Sequence, residues 1–219
     1  MSGVAYELQR QKRRTLTVTV TDDGRVVARA PLLLQKSAVD RFVAEKADWI
    51  RIRVAAARNR PAYAFADGES LPFAGGTLRL AVSAEARRVS HSNGVLTLPD
   101  GTRDARREAV VRFYKRAARG VFSSRVQALA AAMGVAPGPL RVSDARTRWG
   151  SCGKDDSVNL CWRLLLAPPP ILDYVIVHEL AHTVRRDHSK AFWAVVSRFI
   201  PDWKQKRRWL ADHHMELTL

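Results

Sequence analysis

The sequence predicts an α+β fold on three observations. Near the amino terminus Leu16, Val18 and Val20 alternate with threonines, and residues 25–30 follow the turn Asp22-Asp23-Gly24, which is a β-hairpin pattern. Apolar residues recur at helical spacing in two long stretches, from Val39 to Val54 and from Val110 to Leu129. Short strand-like runs bounded by glycine and proline occur in both halves.

Each element follows in order. After the hairpin, Ser37 and Asp40 form a Ser-x-x-Asp start signal for a helix of about five turns carrying Val39, Phe42, Val43, Ala47, Ile50 and Val54. A breaker-rich stretch runs from Arg60-Pro61 to Gly68. Short strands are then expected at 71–73, 77–82 and 95–98, the last two joined around Ser92-Asn93-Gly94, making a small, mostly antiparallel sheet. Residues 104–133 read as a long helix with arginines opposite its apolar face. Residues 140–149 and 158–164 look extended, with 153–156 as a hairpin loop between them. Pro168, Pro169 and Pro170 end the second run and suit the first turn of the next helix. Two more helices are expected, at 189–200, stopped by Pro201, and from 202 to about 215. This order suggests either a β-rich portion with one helix over 1–100 followed by a second portion over 101–219, or one continuous unit spanning both.

The second portion holds the chemistry. In His178-Glu179-Leu180-Ala181-His182 the two histidines lie one helical turn apart on nearly the same face, so both imidazoles can reach one zinc ion at about 2.0–2.1 Å. Glu179 projects beside them, where a carboxylate can take a proton from a metal-activated water. The flanks, Val175-Ile176-Val177 and Thr183-Val184, are uncharged, and two histidines and a glutamate on such a stretch need a reason to be there. A catalytic zinc takes a third protein ligand and leaves one position to water. His188, six residues beyond His182 and past Arg185-Arg186-Asp187, can swing back to supply it; His91, His213 and His214 are its rivals. The spacing matches the metzincin pattern, but Arg185 stands where that pattern has glycine, and Met215 reads as packing rather than a Met-turn.

The chain carries 37 Lys plus Arg against 21 Asp plus Glu, a formal +16. Such an excess favours nucleic acid or nucleotide partners, although solvated helix faces account for it as well. Cys152 and Cys161 match no zinc-knuckle spacing and are expected as free thiols. No signal-peptide core and no run of 18 uncharged apolar residues occurs, so a cytoplasmic protein without a membrane segment is expected.

Several elements together resemble the YgjP-like metal-dependent hydrolases, zincins related to the SprT-like and WLM proteases. They are Arg148-Trp149-Gly150-Ser151-Cys152, Asn159 with Trp162-Arg163-Leu164, Tyr174 through His182, His188-Ser189 with Phe192-Trp193, then Pro201 and Trp209-Leu210. The resemblance implies a metallopeptidase-like fold with His178, His182 and His188 as zinc ligands and Glu179 as general base. It leaves the substrate open between peptide bonds and UTP pyrophosphate hydrolysis. The absence of a P-loop and of an Asp-rich magnesium cluster leans toward a peptidase acting on a peptide or protein, its substrate aligned by β-augmentation on strand 158–164. A nucleic-acid-binding protein with a structural zinc is the remaining reading; it would not need Glu179. Arg146 or Arg148 is a candidate for oxyanion stabilisation. Trp149 and Cys152 read first as a tight turn, and Phe192, Trp193 and Trp209 as core.

Overall fold

The computed structural model describes residues 4–21, 23–58 and 61–219; Asp22 of the first turn and Arg60 of the breaker stretch lie outside them. The fold is mixed α+β and groups into two compact units, one formed by the chain up to Pro61 with Ala211–Thr218, the other by Ala62–Leu210 with Leu219. The strands near residues 70–99 fall in the second of these units.

In the first unit the expected hairpin forms from β2 (Thr17–Val20) and β3 (Val26–Pro31), paired antiparallel. β1 (Glu7–Gln11) adds parallel to β3, giving the order β1-β3-β2. The single five-turn helix is instead two, α1 (Lys36–Glu45) and α2 (Ala47–Arg58), separated at Lys46 by one residue in the bridge region, φ −98° and ψ 6°. Val39, Val43 and Ile50 still join one cluster with Val26, Ala28 and Ala30. Ser37 is not the cap: Asp40 is held by Lys36 at 2.8 Å, and the cap position lies two residues earlier, at Gln35. Met215 packs against Ala56 and Ala57, as a packing methionine should.

The second unit opens with β4 (Ser70–Phe73), β5 (Gly76–Ser83), β6 (Ser90–Ser92) and β7 (Val95–Pro99), ordered β4-β5-β7-β6. The Asn93-Gly94 turn, with φ of 49° and 74°, joins β6 to β7. β6 thereby takes the antiparallel place beside β7, and β5 pairs with β7 parallel, not as the expected hairpin. α3 (Arg103–Met133) runs as the apolar period foretold, capped by the Thr102 hydroxyl and by left-handed Gly134. Its Val110, Tyr114, Ala118, Phe122, Val126 and Ala130 recur every four residues and are buried.

A third sheet has β8 (Leu140–Ser143), β9 (Gly150–Cys152) and β10 (Val158–Cys161) in the order β8-β10-β9. The loop at 153–156 closes the β9–β10 hairpin through a Gly153 N–H to Ser157 O bond of 2.8 Å. β10 is therefore central and paired on both sides, so it offers no free edge. It also stops at Cys161: Trp162–Leu166 coils into a 3-10 helix, in which Trp162 Nε1 donates to Asp144 at 2.8 Å and Leu164 stays buried. Three helices follow, α4 (Pro169–Ala181), α5 (Lys190–Phe199) and α6 (Trp203–His213). No helix among the described residues is long and apolar enough to cross a membrane.

Candidate metal centre

α4 begins with proline in its first turn and packs against α3, α5, β9 and β10, so it is buried on nearly every side. His178 and Glu179 sit within this buried stretch, and His182 occupies the helix C-cap. Beyond it the Thr183, Val184 and Arg185 N–H groups bond back to Leu180 and Ala181 and reverse the chain. Asp187 accepts from the Ser189 hydroxyl at 2.8 Å, and Ser189 caps α5. This turn returns His188 to the motif.

One ring nitrogen from each of His178, His182 and His188 lies within 4.8 Å of the others, and this is the one such group among the described residues. The Nε2 atoms of His178 and His188 are 3.2 Å apart, close to the edge of about 3.3 Å in a tetrahedron with 2.0–2.1 Å metal–nitrogen bonds. His182 Nδ1 lies 3.1 Å from the Arg185 carbonyl, an arrangement that turns Nε2 toward the group. Burial, followed by the neighbouring His182, His188 and Arg207, pushes His178 down to about 4; burial also lowers His182. Neutral imidazoles with converging nitrogens are the form a metal binds, and the buried His178 Nδ1 has no hydrogen-bond partner. The donor set fits a divalent metal that accepts nitrogen ligands. Two of the rivals have other partners: His91 packs against Phe73 and Phe113, and His214 contacts Arg53.

Glu179 is 6% exposed, and burial pushes its carboxyl up to about 7, against the pull of the Arg148 charge and the Cys152 backbone N–H. β9 lies directly on it. A Cβ added to Gly150 would fall 2.6 Å from Glu179 Oε1, so glycine is what lets strand and carboxylate meet. Arg186 braces the following loop by donating to the Gly153 carbonyl at 2.5 Å and pairing with Asp156. Both cysteines are free, and burial raises the Cys152 thiol.

The sequence pattern marks the aromatic wall only as core. Phe192 is fully buried and stacks on His182 at 4.6 Å, so it both fills the core and sets the ring. Trp193 lies 5.6 Å from His178 and 5.9 Å from His188 and stacks on Trp203 at 3.8 Å. Arg207, 5.7 Å over Trp193, and Gly150 in its contact with Glu179 were not singled out for the site. A glycine following Trp149 carried some signal; an arginine on a basic helix carried none.

Three converging histidines could hold a metal ion, and a buried glutamate lies one residue from the first of them along α4. The model of the YgjP-like family, described as a metallopeptidase domain, matches residues 14–213, and the chain belongs to that family. A protein of Escherichia coli (strain K12) named UTP pyrophosphatase is 27% identical over 96 residues, a match covering 42% of this chain and 54% of that protein. The chain thus aligns with about half the length of this curated relative. No solved structure matches.

Proposed function

We propose that His178, His182 and His188 hold a zinc ion and that Glu179 is the general base of a hydrolysis reaction on a nucleotide phosphoanhydride. The observation that carries the chemistry is the convergence of three imidazoles, with a buried glutamate, packed against Gly150, one residue along α4 from His178. A zinc ion in this donor set would supply Lewis acidity and make a water more acidic. Glu179, whose carboxyl burial pushes up to about 7, accepts a proton from the attacking water as the water oxygen bonds to phosphorus. The bridging P–O bond then breaks, and protonated Glu179 can return the proton to the departing phosphate oxygen. Gly150 and the Cys152 N–H hold the carboxylate in place for both transfers. The E. coli relative's name and the basic character of the chain support the substrate class.

Peptide hydrolysis is a second reading, favoured by the edge position of β9 beside Glu179. β9 takes the aligning role expected of strand 158–164, because β10 has no free edge. Wild type and Glu179→Gln, both loaded with zinc, are compared on UTP and on an unfolded protein. Pyrophosphate release from UTP by wild type alone supports the nucleotide reading; cleavage of protein alone by wild type replaces it with the peptide reading. Equal activity of the two proteins removes Glu179 from the mechanism.

A further inference from the structure

We propose that Leu32 and Leu33, at the tip of a braced turn in the first unit, insert into the surface of an anionic lipid bilayer, with Lys12 and Arg14 beside them meeting the headgroups. This surface is independent of the metal centre and of the reaction assigned to it.

The turn runs from Pro31 to Leu34. The Leu34 N–H donates to the Pro31 carbonyl at 3.3 Å, so Leu32 and Leu33 take the two central positions. Leu34 returns to the core cluster of the first unit, whereas Leu32 is 57% and Leu33 96% exposed, the latter the most exposed large hydrophobic side chain among the described residues. Arg10, on the neighbouring strand β1, fixes this shape. Its Nη1 donates to the carbonyls of Leu34 at 2.7 Å, Leu32 at 2.9 Å and Pro31 at 3.2 Å. A turn tied at three carbonyls keeps its two central side chains in water instead of letting them fold back on the protein.

The sheet order brings positive charge to the same end. β1 runs parallel to β3, and its last residue, Gln11, stands opposite Pro31. β2 lies on the other side of β3, runs antiparallel to it and starts opposite Arg29. Residues 12–16 therefore cross the end of β3 where the leucine turn leaves the sheet, carrying Lys12, Arg13 and Arg14, of which Lys12 and Arg14 are exposed. No Asp or Glu occurs from Leu8 to Thr21 or from Gly24 to Val39. Glu7 stands at the other end of β1, opposite Val27, and Asp40 is bonded to Lys36 and Tyr6. Nucleic acid answers the charge but has no use for two leucines held in water, and a two-residue tip offers a folded protein little area to bury. A bilayer surface takes both features: apolar side chains enter among the acyl chains while cations rest in the negative potential of the headgroups. No helix among the described residues is long and apolar enough to cross a membrane, so the contact proposed is peripheral.

The test is co-sedimentation of the full-length protein with vesicles of phosphatidylcholine alone and of phosphatidylcholine mixed with phosphatidylserine. Binding should require the anionic lipid and weaken as salt is raised. The double variant Leu32→Ser/Leu33→Ser should bind the mixed vesicles at least about tenfold more weakly, and Lys12→Ala and Arg14→Ala about fivefold more weakly each. Melting temperatures should not change, because all four side chains are exposed. Leu33→Ile should bind as wild type does. Where the double variant fails to fold, Leu33→Ser alone, at the most exposed position, decides the matter. No binding by wild type, equal binding to neutral vesicles, or leucine variants that bind as well as wild type would overturn the proposal. An oligonucleotide that binds wild type and the leucine double variant alike, while vesicles bind neither, would assign the basic end to nucleic acid and overturn it as well.

Discussion

α3 and α4 pack against each other yet treat charge in opposite ways. α3 sends cations to water, where Arg112 meets Glu108 at 3.4 Å and Lys115 meets Asp144 at 2.7 Å. Among the described residues, α4 buries Glu179 without an ion pair and leaves the buried Nδ1 of the half-buried His178 unbonded. Solvated, paired charge costs little and adds little. Buried charge without a full set of partners is costly, and a fold retains it where chemistry needs it. The same residue types therefore mean scaffold on one helix and site on the other.

The largest effect that would break this contrast is at Glu179. Glu179→Gln is expected to lower turnover by about 10²–10⁴-fold with zinc content unchanged, measured as the rate of pyrophosphate release. Phe122→Ala, on the buried face of α3, should cost about 3–5 kcal/mol in a urea titration, since it empties a fully buried aromatic site. Gly150→Ala forces the Glu179 carboxylate aside. It should reduce turnover at least about tenfold with little change in melting temperature, because misplacing a catalytic group costs rate before it costs fold.

The convergence of His178 and His182 was legible from sequence because an i, i+4 pair needs only helical geometry, and the search for a third candidate ligand pointed to His188, which the structure brings to the same group. The α3 period was legible for the same reason, every fourth residue marking one face. What was hidden depends on pairing between distant strands. The parallel addition of β1 to β3 and of β5 to β7 leaves no local pattern, and a local Asn-Gly turn was assigned to the wrong pair of strands. Gly150 could be read as a turn but not as the floor under Glu179, because that contact joins residues from separate elements.

Smaller effects sharpen the scaffold side. Partial burial raises the Asp144 carboxyl, but Lys115, Trp162 and Arg163 outweigh it and hold it at about 2. Against an unfolded value of about 3.9, this depressed folded value adds stability that is present above about pH 4 and lost as pH falls through about 2. Asp144→Asn should lower stability at pH 7 by about 1 kcal/mol after allowance for solvent screening of a half-exposed side chain, with the gap closing at low pH in acid titrations. Arg112→Ala, which removes an exposed pair one turn apart on α3, should shift stability by less than about 0.5 kcal/mol by the same measurement.

The most direct test is the metal content of the purified protein. Elemental analysis of wild type should find about one zinc per chain, as a single three-histidine site requires. The double variant His178→Ala/His182→Ala should contain none while keeping its circular dichroism spectrum. Full zinc occupancy in that variant would contradict the assignment of α4 as the metal helix.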